Sequence, residues 1–479
     1  MKLLAERTFT LADQGRFAAL SGDFNPIHVD EVAARRAMFG ALVVHGVHLL
    51  CWALESWLGN RSAPAALERL TVNFRRGALV GETVRVFMVS DGEEFVLRIQ
   101  SDQSELTQSE LTWIRGKLGA TVEYAEPLPP LEPKECREMN SDEVAQAAGS
   151  LPLSYCAADA RALFPQLNAA LPPFQLAALL TTTRLVGMEC PGLYSLYSSL
   201  DLWFAREASG PPQLNYRVAH ARFKGVHLKV DGPGFHGDLR GFIRPAPSRQ
   251  ATVQKLAPWV EKNEFSGQRA VVIGGSRGLG EVTAKLLALG GADVAITYQR
   301  GKRDAEAIAA EIHAAGGKCE VAHFDVNQPG PIALSQPPTH LYYFATPHIA
   351  SGIAIFSAER FEEYCRYYAT NFVHTVLEIA QSLPAIDVFY PSTIFLDESP
   401  AHMAEYCAAK AAGEEACRQL VRHFPDWRVY APRLPRMFTD QNNGLLTNET
   451  EAPEFVILRQ LREMRDRAGQ TAAPNPTPA

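Results

Sequence analysis

Asp23 and His28 stand five positions apart in the stretch SGDFNPIHVD, with Asn25 and Pro26 between them. A carboxyl and an imidazole held that close can hold a water and move its proton. Pro26 fixes its own φ and biases Asn25 away from helix, so the segment is a shaped turn. An apolar run follows and ends at His45-Gly46. From there GVHLLCWALESWL predicts a buried helix. A helix that opens at Gly46 presents unpaired backbone N–H groups and the positive end of its dipole. Those groups polarise a carbonyl, and a thioester suits the acid–imidazole pair beside them. The same residues also read as a turn capped by Asp23 with His28 packed against it.

A second group lies far along the chain. Gly274, Ser276, Arg277, Gly278, Leu279 and Gly280 form a glycine-rich loop between the apolar segment QRAVVIGG and a helical pattern. Glycines there permit a tight turn and let backbone N–H groups approach a pyrophosphate. The next apolar segment, ADVAITY, runs into Gln299-Arg300, with no acid to receive a ribose 2′-OH. Arg277 and Arg300 are placed to clamp a 2′-phosphate, so NADP is expected over NAD. Tyr406 and Lys410 stand one helical turn apart in YCAAK and share a face.

These residues need elements to hold them. After the helix from Gly46 come LERLTVNFRRGALVGETVRVFMVS, EEFVLRIQSD and SELTWIRG, whose alternation predicts antiparallel strands. Residues 1–122 are thus one catalytic unit, and the Pro- and Glu-rich stretch 123–148 reads as a linker. Residues 149–246 repeat the order of helix and paired strands (PPFQLAALLTTTRLVGMECPG, then LYSLYSSLDLWFA onward) but lack the Asp-x-Asn-Pro-x-His turn. A worn second copy would shape the pocket of the first; a separate site using Glu189 or His220 is the alternative. A second linker, 247–264, leads to 265–445, where strand and helix alternate as in an α/β doubly wound parallel sheet. Residues 446–479 read as a helix and a disordered tail.

At 479 residues the chain has room for about three domains. The formal charge of -7 argues against nucleic acid as a main partner. The eight cysteines show no metal-type spacing and read as reduced thiols, so no metal is expected and the location is expected to be cytoplasmic. The opening residues carry charges too early for a signal peptide, and no membrane span is expected. Arg35, Arg36, Arg75 and Arg76 offer a local basic rim for an acidic carrier.

The first stretch resembles the signature of the MaoC-like (R)-specific enoyl-CoA hydratase/dehydratase family. Asp23, Asn25, Pro26, His28, Phe39, His45 and Gly46 carry the resemblance. It implies a hotdog fold, a double hotdog once the second copy is counted, with Asp23 and His28 as the catalytic pair. It also implies that the Gly46 N–H holds the thioester oxygen.

The later glycine loop, spaced Gly-x-x-x-Gly-x-Gly, resembles that of the short-chain dehydrogenase/reductase family. Ser392, fourteen residues before Tyr406, and Tyr406 with Lys410 complete the resemblance. It implies a Rossmann-type domain in which Tyr406 donates a proton, Ser392 orients a carbonyl, and Lys410 lowers the Tyr406 pKa and holds the ribose. Asn371 stands where the family supports a relay water, Asp325 where it contacts adenine, and Thr439 where it meets the cofactor. Ala345-Thr346-Pro347, Ile273 and Leu434-Pro435 depart from the family pattern.

Together the two resemblances imply a bifunctional enzyme, an oxidoreductase and a hydro-lyase. It would be an NADPH-dependent 3-ketoacyl thioester reductase and (3R)-hydroxyacyl thioester dehydratase in fatty acid or polyketide-type synthesis. The substrate would be an acyl-CoA or acyl carrier protein thioester, and the assembly a homodimer. The alternatives are hydration and oxidation in the opposite direction, or an active hydratase carrying a non-catalytic reductase-like binding domain.

Overall fold

Ten antiparallel strands make a single sheet in the first part of the chain. They are β1 (Lys2–Thr8), β2 (Ala66–Phe74), β3 (Thr83–Asp91), β4 (Glu94–Ser101), β5 (Ser109–Gly119), β6 (Ala148–Pro152), β7 (Ser195–Phe204), β8 (Gln213–Arg222), β9 (Gly225–Gly232) and β10 (Phe235–Ile243). Their order is β1-β3-β4-β5-β2-β7-β10-β9-β8-β6. The second half is therefore the first half reversed, strand for strand, about the β2–β7 junction. In this computed structural model the chain divides into two compact units, Met1–Ala246 and Pro247–Ala479. The structure describes all residues except 60–64, 102–108, 120–121, 248, 329, 350–355, 381, 438–450 and 472–479.

The alternation in β2 explains the junction. Leu70 and Val72 are buried and face Leu202 and Leu200 of β7 across the ladder. On the other face, Asp201 accepts from Arg69 (3.1 Å) and Thr71 (2.8 Å), and the Arg69 guanidinium lies 4.1 Å over the Trp203 ring. Each half wraps one long helix, Gly46–Leu58 or Pro173–Arg184, both buried on nearly every side. Gln175, fully buried, exchanges hydrogen bonds with both backbone groups of Leu67 and so ties the second helix to the first half's strand. This is a double hotdog. β1 had not been expected, because MKLLAERT sits at the sheet edge with no fully buried side chain to mark a period. Residues 123–147, read as a linker, lie against the second half: Tyr124 reaches Gly210 O (2.8 Å), and Glu138 bridges to Gly192.

The second unit is a six-stranded parallel sheet: β11 (Arg269–Ile273), β12 (Asp293–Tyr298), β13 (Lys318–His323), β14 (His340–Tyr343), β15 (Asp387–Phe389) and, after the short β16 (Ser392–Thr393), β17 (Arg428–Tyr430). Its order is β13-β12-β11-β14-β15-β17, with β16 pairing separately to β18 (Arg433–Leu434). The strand order reverses between β11 and β14, where such sheets open a binding crevice. Helices pack on both faces over apolar strands. The stretch 247–264 is built into this unit rather than linking to it. Val253 and Leu256 are core residues, and Glu264 pairs with Arg462 (2.7 Å) of the last helix, Pro453–Thr471. The expected tail lies outside the described residues. Among the described residues no helix is long and apolar enough to cross a membrane.

Candidate active sites

In the first unit, helix Leu11–Ser21 ends at Gly22, whose φ of 76° is the left-handed stop that turns the chain toward Asp23. Asn25 then caps a one-turn helix, Pro26–Val29, by accepting from Ile27 N (3.2 Å), with Pro26 at its first position. That turn carries His28. Donor atoms of Asp23, His28 and His45 come within 4.8 Å of one another, and the two imidazoles stack at 3.9 Å. His28 Nδ1 meets the Val43 carbonyl at 2.7 Å. A carbonyl only accepts, so Nδ1 carries the proton and Nε2 of the neutral ring keeps its lone pair. His45 contacts Gln14 Oε1 (2.9 Å) and Asp23 O (2.9 Å) through its two ring nitrogens. Both ring nitrogens face oxygens, and the one that carries the proton donates and braces the turn.

Burial dominates the electrostatics. It raises the Asp23 carboxyl above its ordinary range, against the opposing pull of His28 and of hydrogen bonds from Thr183 and Asn25. It lowers His28, against the attraction of Asp23, and lowers His45 further. A carboxyl that holds its proton more tightly than usual and an imidazole that holds its proton more loosely suit the acid and base roles of one pair. The helix after His45 opens at Gly46, with no side chain capping it. A Cβ at Gly46 would sit 3.0 Å from the Phe74 ring, a tight contact that a glycine avoids.

The second half supplies much of this wall. Thr183 donates to Asp23 Oδ2 at 2.7 Å. Asn25 Nδ2 donates to the carbonyls of Gly187 (2.8 Å) and Leu193 (3.3 Å). Arg244, buried, donates to the same Leu193 carbonyl (2.7 Å), and its charge helps hold His28 below its usual value. Glu189 pairs with Lys134 (3.2 Å), and His220 packs edge-on to His227.

In the second unit the glycine loop follows β11 into helix Gly278–Leu289. Gly274 (φ 76°) and Gly278 (φ 58°) both need the left-handed region. A Cβ at Gly280 would lie 2.4 Å from Gly274 O, so that glycine closes the turn. One at Gly278 would meet nothing within 4 Å, and the helix N-terminus has no side-chain cap. Open space above free N–H groups fits a pyrophosphate. Ser276 is buried in the loop, and Leu279 packs on the core. Arg300 is exposed after β12. Asp325, after β13, accepts from Gln299 (2.9 Å). Tyr406 and Lys410 lie on helix Ala404–His423, both buried, and the Thr393 side chain draws the Tyr406 phenol down against the effect of burial. Lys410 Nζ donates to Pro391 O (2.6 Å) and sits 4.1 Å above the Tyr368 ring and 4.9 Å above that of Tyr390.

Residues 1–112 match the MaoC like domain family, and residues 268–333 match the short chain dehydrogenase family. The chain joins a MaoC-like domain to a short-chain dehydrogenase domain. Over 85 residues it is 33% identical to a 3-hydroxybutyryl-CoA dehydratase of Methylorubrum extorquens, covering 17% of this chain and 54% of that relative. Over 66 residues it is 42% identical to an uncharacterized oxidoreductase of the same organism, covering 14% of this chain and 27% of that one. The chain thus spans between about a quarter and a half of the length of these curated relatives. Among solved structures it resembles a short chain dehydrogenase from Burkholderia cenocepacia in complex with NADP. That match has 21% identity and a TM-score of 0.37, over 42% of this chain and 91% of that one.

Three residues expected to act in the dehydrogenase domain have partners of their own. The Ser392 hydroxyl donates to Glu414 Oε1 (2.5 Å), which is held by Arg433. Neighbours in an extended segment point to opposite faces, and Thr393 takes the inward place. Burial holds the Tyr406 phenol above its ordinary range and lowers Lys410 to about 7. Asn371, buried at the start of helix Asn371–Ala380, donates to Asn327 (3.0 Å). Thr439 lies outside the described residues. In the MaoC-like domain, Arg75 pairs with Glu110 (2.7 Å) and Arg76 with Glu82, which accounts for two of the four arginines of the expected rim.

Sequence reasoning also missed His48. It is fully buried on the central helix, stacked 4.6 Å from Phe17, and neither ring nitrogen has a partner among the described residues. Burial lowers its pKa to about 3. A histidine depressed in the folded state takes its proton preferentially when unfolded, so stability is lost as pH falls from the unfolded value near 6.5 toward 3. The full loss amounts to about 5 kcal/mol. His48→Leu should therefore flatten the acid limb of thermal stability between about pH 6 and about pH 4. Parallel acid curves for wild type and variant would rule this out.

Proposed function

We propose that this chain is a bifunctional NADPH-dependent 3-ketoacyl thioester reductase and (3R)-hydroxyacyl thioester dehydratase. The observation that carries the reading is the acid–base pair of Asp23 and His28 beside the open helix end at Gly46, in a chain that also holds a buried Tyr406–Lys410 pair. The two chemistries share one intermediate, the 3-hydroxyacyl thioester.

In dehydration, His28 Nε2 takes the proton from C2 while Asp23 gives its proton to the departing C3 hydroxyl. The C2–H and C3–O bonds break, the C2–C3 double bond forms, and water leaves. Charge developing on the thioester oxygen is met by the Gly46 N–H and the helix dipole. The pair then carries imidazolium and carboxylate, and proton return through water resets it. Run backwards, the same groups add water to a 2-enoyl thioester.

In reduction, Thr393 and Tyr406 hold the C3 carbonyl oxygen and Tyr406 gives it a proton. The Tyr406 phenol, held above its ordinary range by burial, is in the protonated form that a donor needs. Lys410 lies under the same aromatic cluster, placed to receive a ribose hydroxyl. The nicotinamide cofactor, when bound, supplies the hydride that reaches C3. Arg277 and Arg300, with no acid after β12, favour NADP. The substrate is a CoA or acyl carrier protein thioester, and a homodimer in the cytoplasm is the working arrangement.

Separate half-reactions test this. Crotonyl-CoA should give (3R)-hydroxybutyryl-CoA, and acetoacetyl-CoA should oxidise NADPH faster than NADH. Thr393→Val should lower the reduction rate by about 10²-fold, the scale of one lost oriented donor, while Ser392→Ala changes it little. The reverse order would return the role to Ser392. If crotonyl-CoA is hydrated but neither nicotinamide cofactor binds, the chain is instead a hydratase with a non-catalytic partner domain. The hydroxyl of Ser392 already engaged by Glu414 is the observation on that side.

A further inference from the structure

The run Thr181-Thr182-Thr183 ends the long helix of the second half. Two of its hydroxyls bond back to their own helix, Thr181 to Ala177 O (2.8 Å) and Thr182 to Leu179 O (2.7 Å). That is the usual fate of a threonine inside a helix. Thr183 turns outward instead and donates to Asp23 Oδ2, across 160 positions of sequence, with both residues buried.

The backbone just beyond is widened into a π turn, Leu185–Glu189. Such single turns often mark functional positions. At its centre, Gly187 lies against the other carboxylate oxygen: a Cβ there would fall 2.3 Å from Asp23 Oδ1. The Gly187 carbonyl, meanwhile, accepts from Asn25 Nδ2 (2.8 Å) and from Cys136 Sγ (3.1 Å). One turn of the second half thus receives both ends of the Asp23–Asn25 segment.

We infer that Thr183 and Gly187 of the second half are positioning residues for Asp23, so that the half without a catalytic turn sets the geometry and proton affinity of the other half's acid. The inference rests on the proposed role of Asp23 in thioester hydration. Thr183 touches the carboxylate and not the substrate, so its effect falls on the reaction step and not on binding. Its donated hydrogen bond favours the ionised carboxylate, and losing it moves Asp23 toward still higher pH.

The test uses the full chain with Thr183→Val, which keeps the shape, Thr183→Ser, which keeps the hydroxyl, and Gly187→Ala. Crotonyl-CoA hydration is followed across pH. Thr183→Val should lose about 10- to 100-fold in kcat, the scale of one hydrogen bond to a charged group. KM should stay within about twofold, the range expected when only the transition state is affected. The pH limb assigned to Asp23 should move upward, and Thr183→Ser should restore both. Gly187→Ala should lose activity while Thr183→Ser keeps it. The Asp23 carboxyl is also titrated directly by infrared difference against Asp23→Asn, which needs no activity. A band that titrates at the same pH in wild type and Thr183→Val overturns the inference. Should wild type fail to hydrate crotonyl-CoA while the band still shifts, the functional reading fails and the positioning role stands.

Discussion

Asp23→Asn is expected to reduce crotonyl-CoA hydration by about 10²- to 10⁴-fold, the range that general acid–base groups contribute, and to leave NADPH-dependent reduction unchanged. The amide keeps the size of the carboxyl and can still accept from Thr183, which donates at 2.7 Å in the wild type. It has no proton to give to the departing hydroxyl. His28, fixed by the Val43 carbonyl, remains the base, but its partner is lost. The change is read by mass of the hydroxyacyl product, with circular dichroism to show that the fold is kept. A variant that hydrates at the wild-type rate would make the turn structural and remove Asp23 from the mechanism.

Tyr406→Phe should have the mirror effect. Reduction of acetoacetyl-CoA should fall by about 10²- to 10⁴-fold for loss of the proton donor, while hydration continues. Folding should change little, because Tyr406 sits in an aromatic cluster with Tyr364 and Tyr368 whose contacts a phenyl ring keeps. NADPH should still quench or enhance fluorescence on binding, since the glycine loop is distant in sequence from the substitution. Equal rates in variant and wild type would place proton donation elsewhere in the domain.

The parts of both sites that lie on one short stretch were legible from residues alone. Asn25-Pro26 dictates its turn locally, and Gly274 to Gly280 sit between a strand and a helix that their neighbours announce. The Tyr406–Lys410 pair follows from helix geometry. What needed coordinates was contact between distant segments. Thr183 and Gly187 meet Asp23 only because the two halves share one sheet through β2 and β7, and no local pattern marks a threonine that turns away from its helix. Spacing could not choose between Ser392 and Thr393, because one step along an extended segment exchanges faces. The stretch around Val253 and Leu256 looked like a linker because so few apolar residues mark it, yet those few enter a core built by other segments. Burial, too, is a tertiary property. It holds the Tyr406 phenol up and lowers the Lys410 ammonium, which spacing along the helix could not show.

The most direct test of the central claim is a single incubation of the full chain with acetoacetyl-CoA and NADPH, followed by mass spectrometry of the thioesters over time. The account predicts that NADPH is oxidised, that 3-hydroxybutyryl-CoA rises first, and that crotonyl-CoA follows and approaches the hydration equilibrium. Tyr406→Phe should stop both products, and Asp23→Asn only the second. NADPH left untouched, across CoA and carrier-protein thioesters and across chain lengths, would contradict the account and leave the MaoC-like domain as the chain's one chemistry.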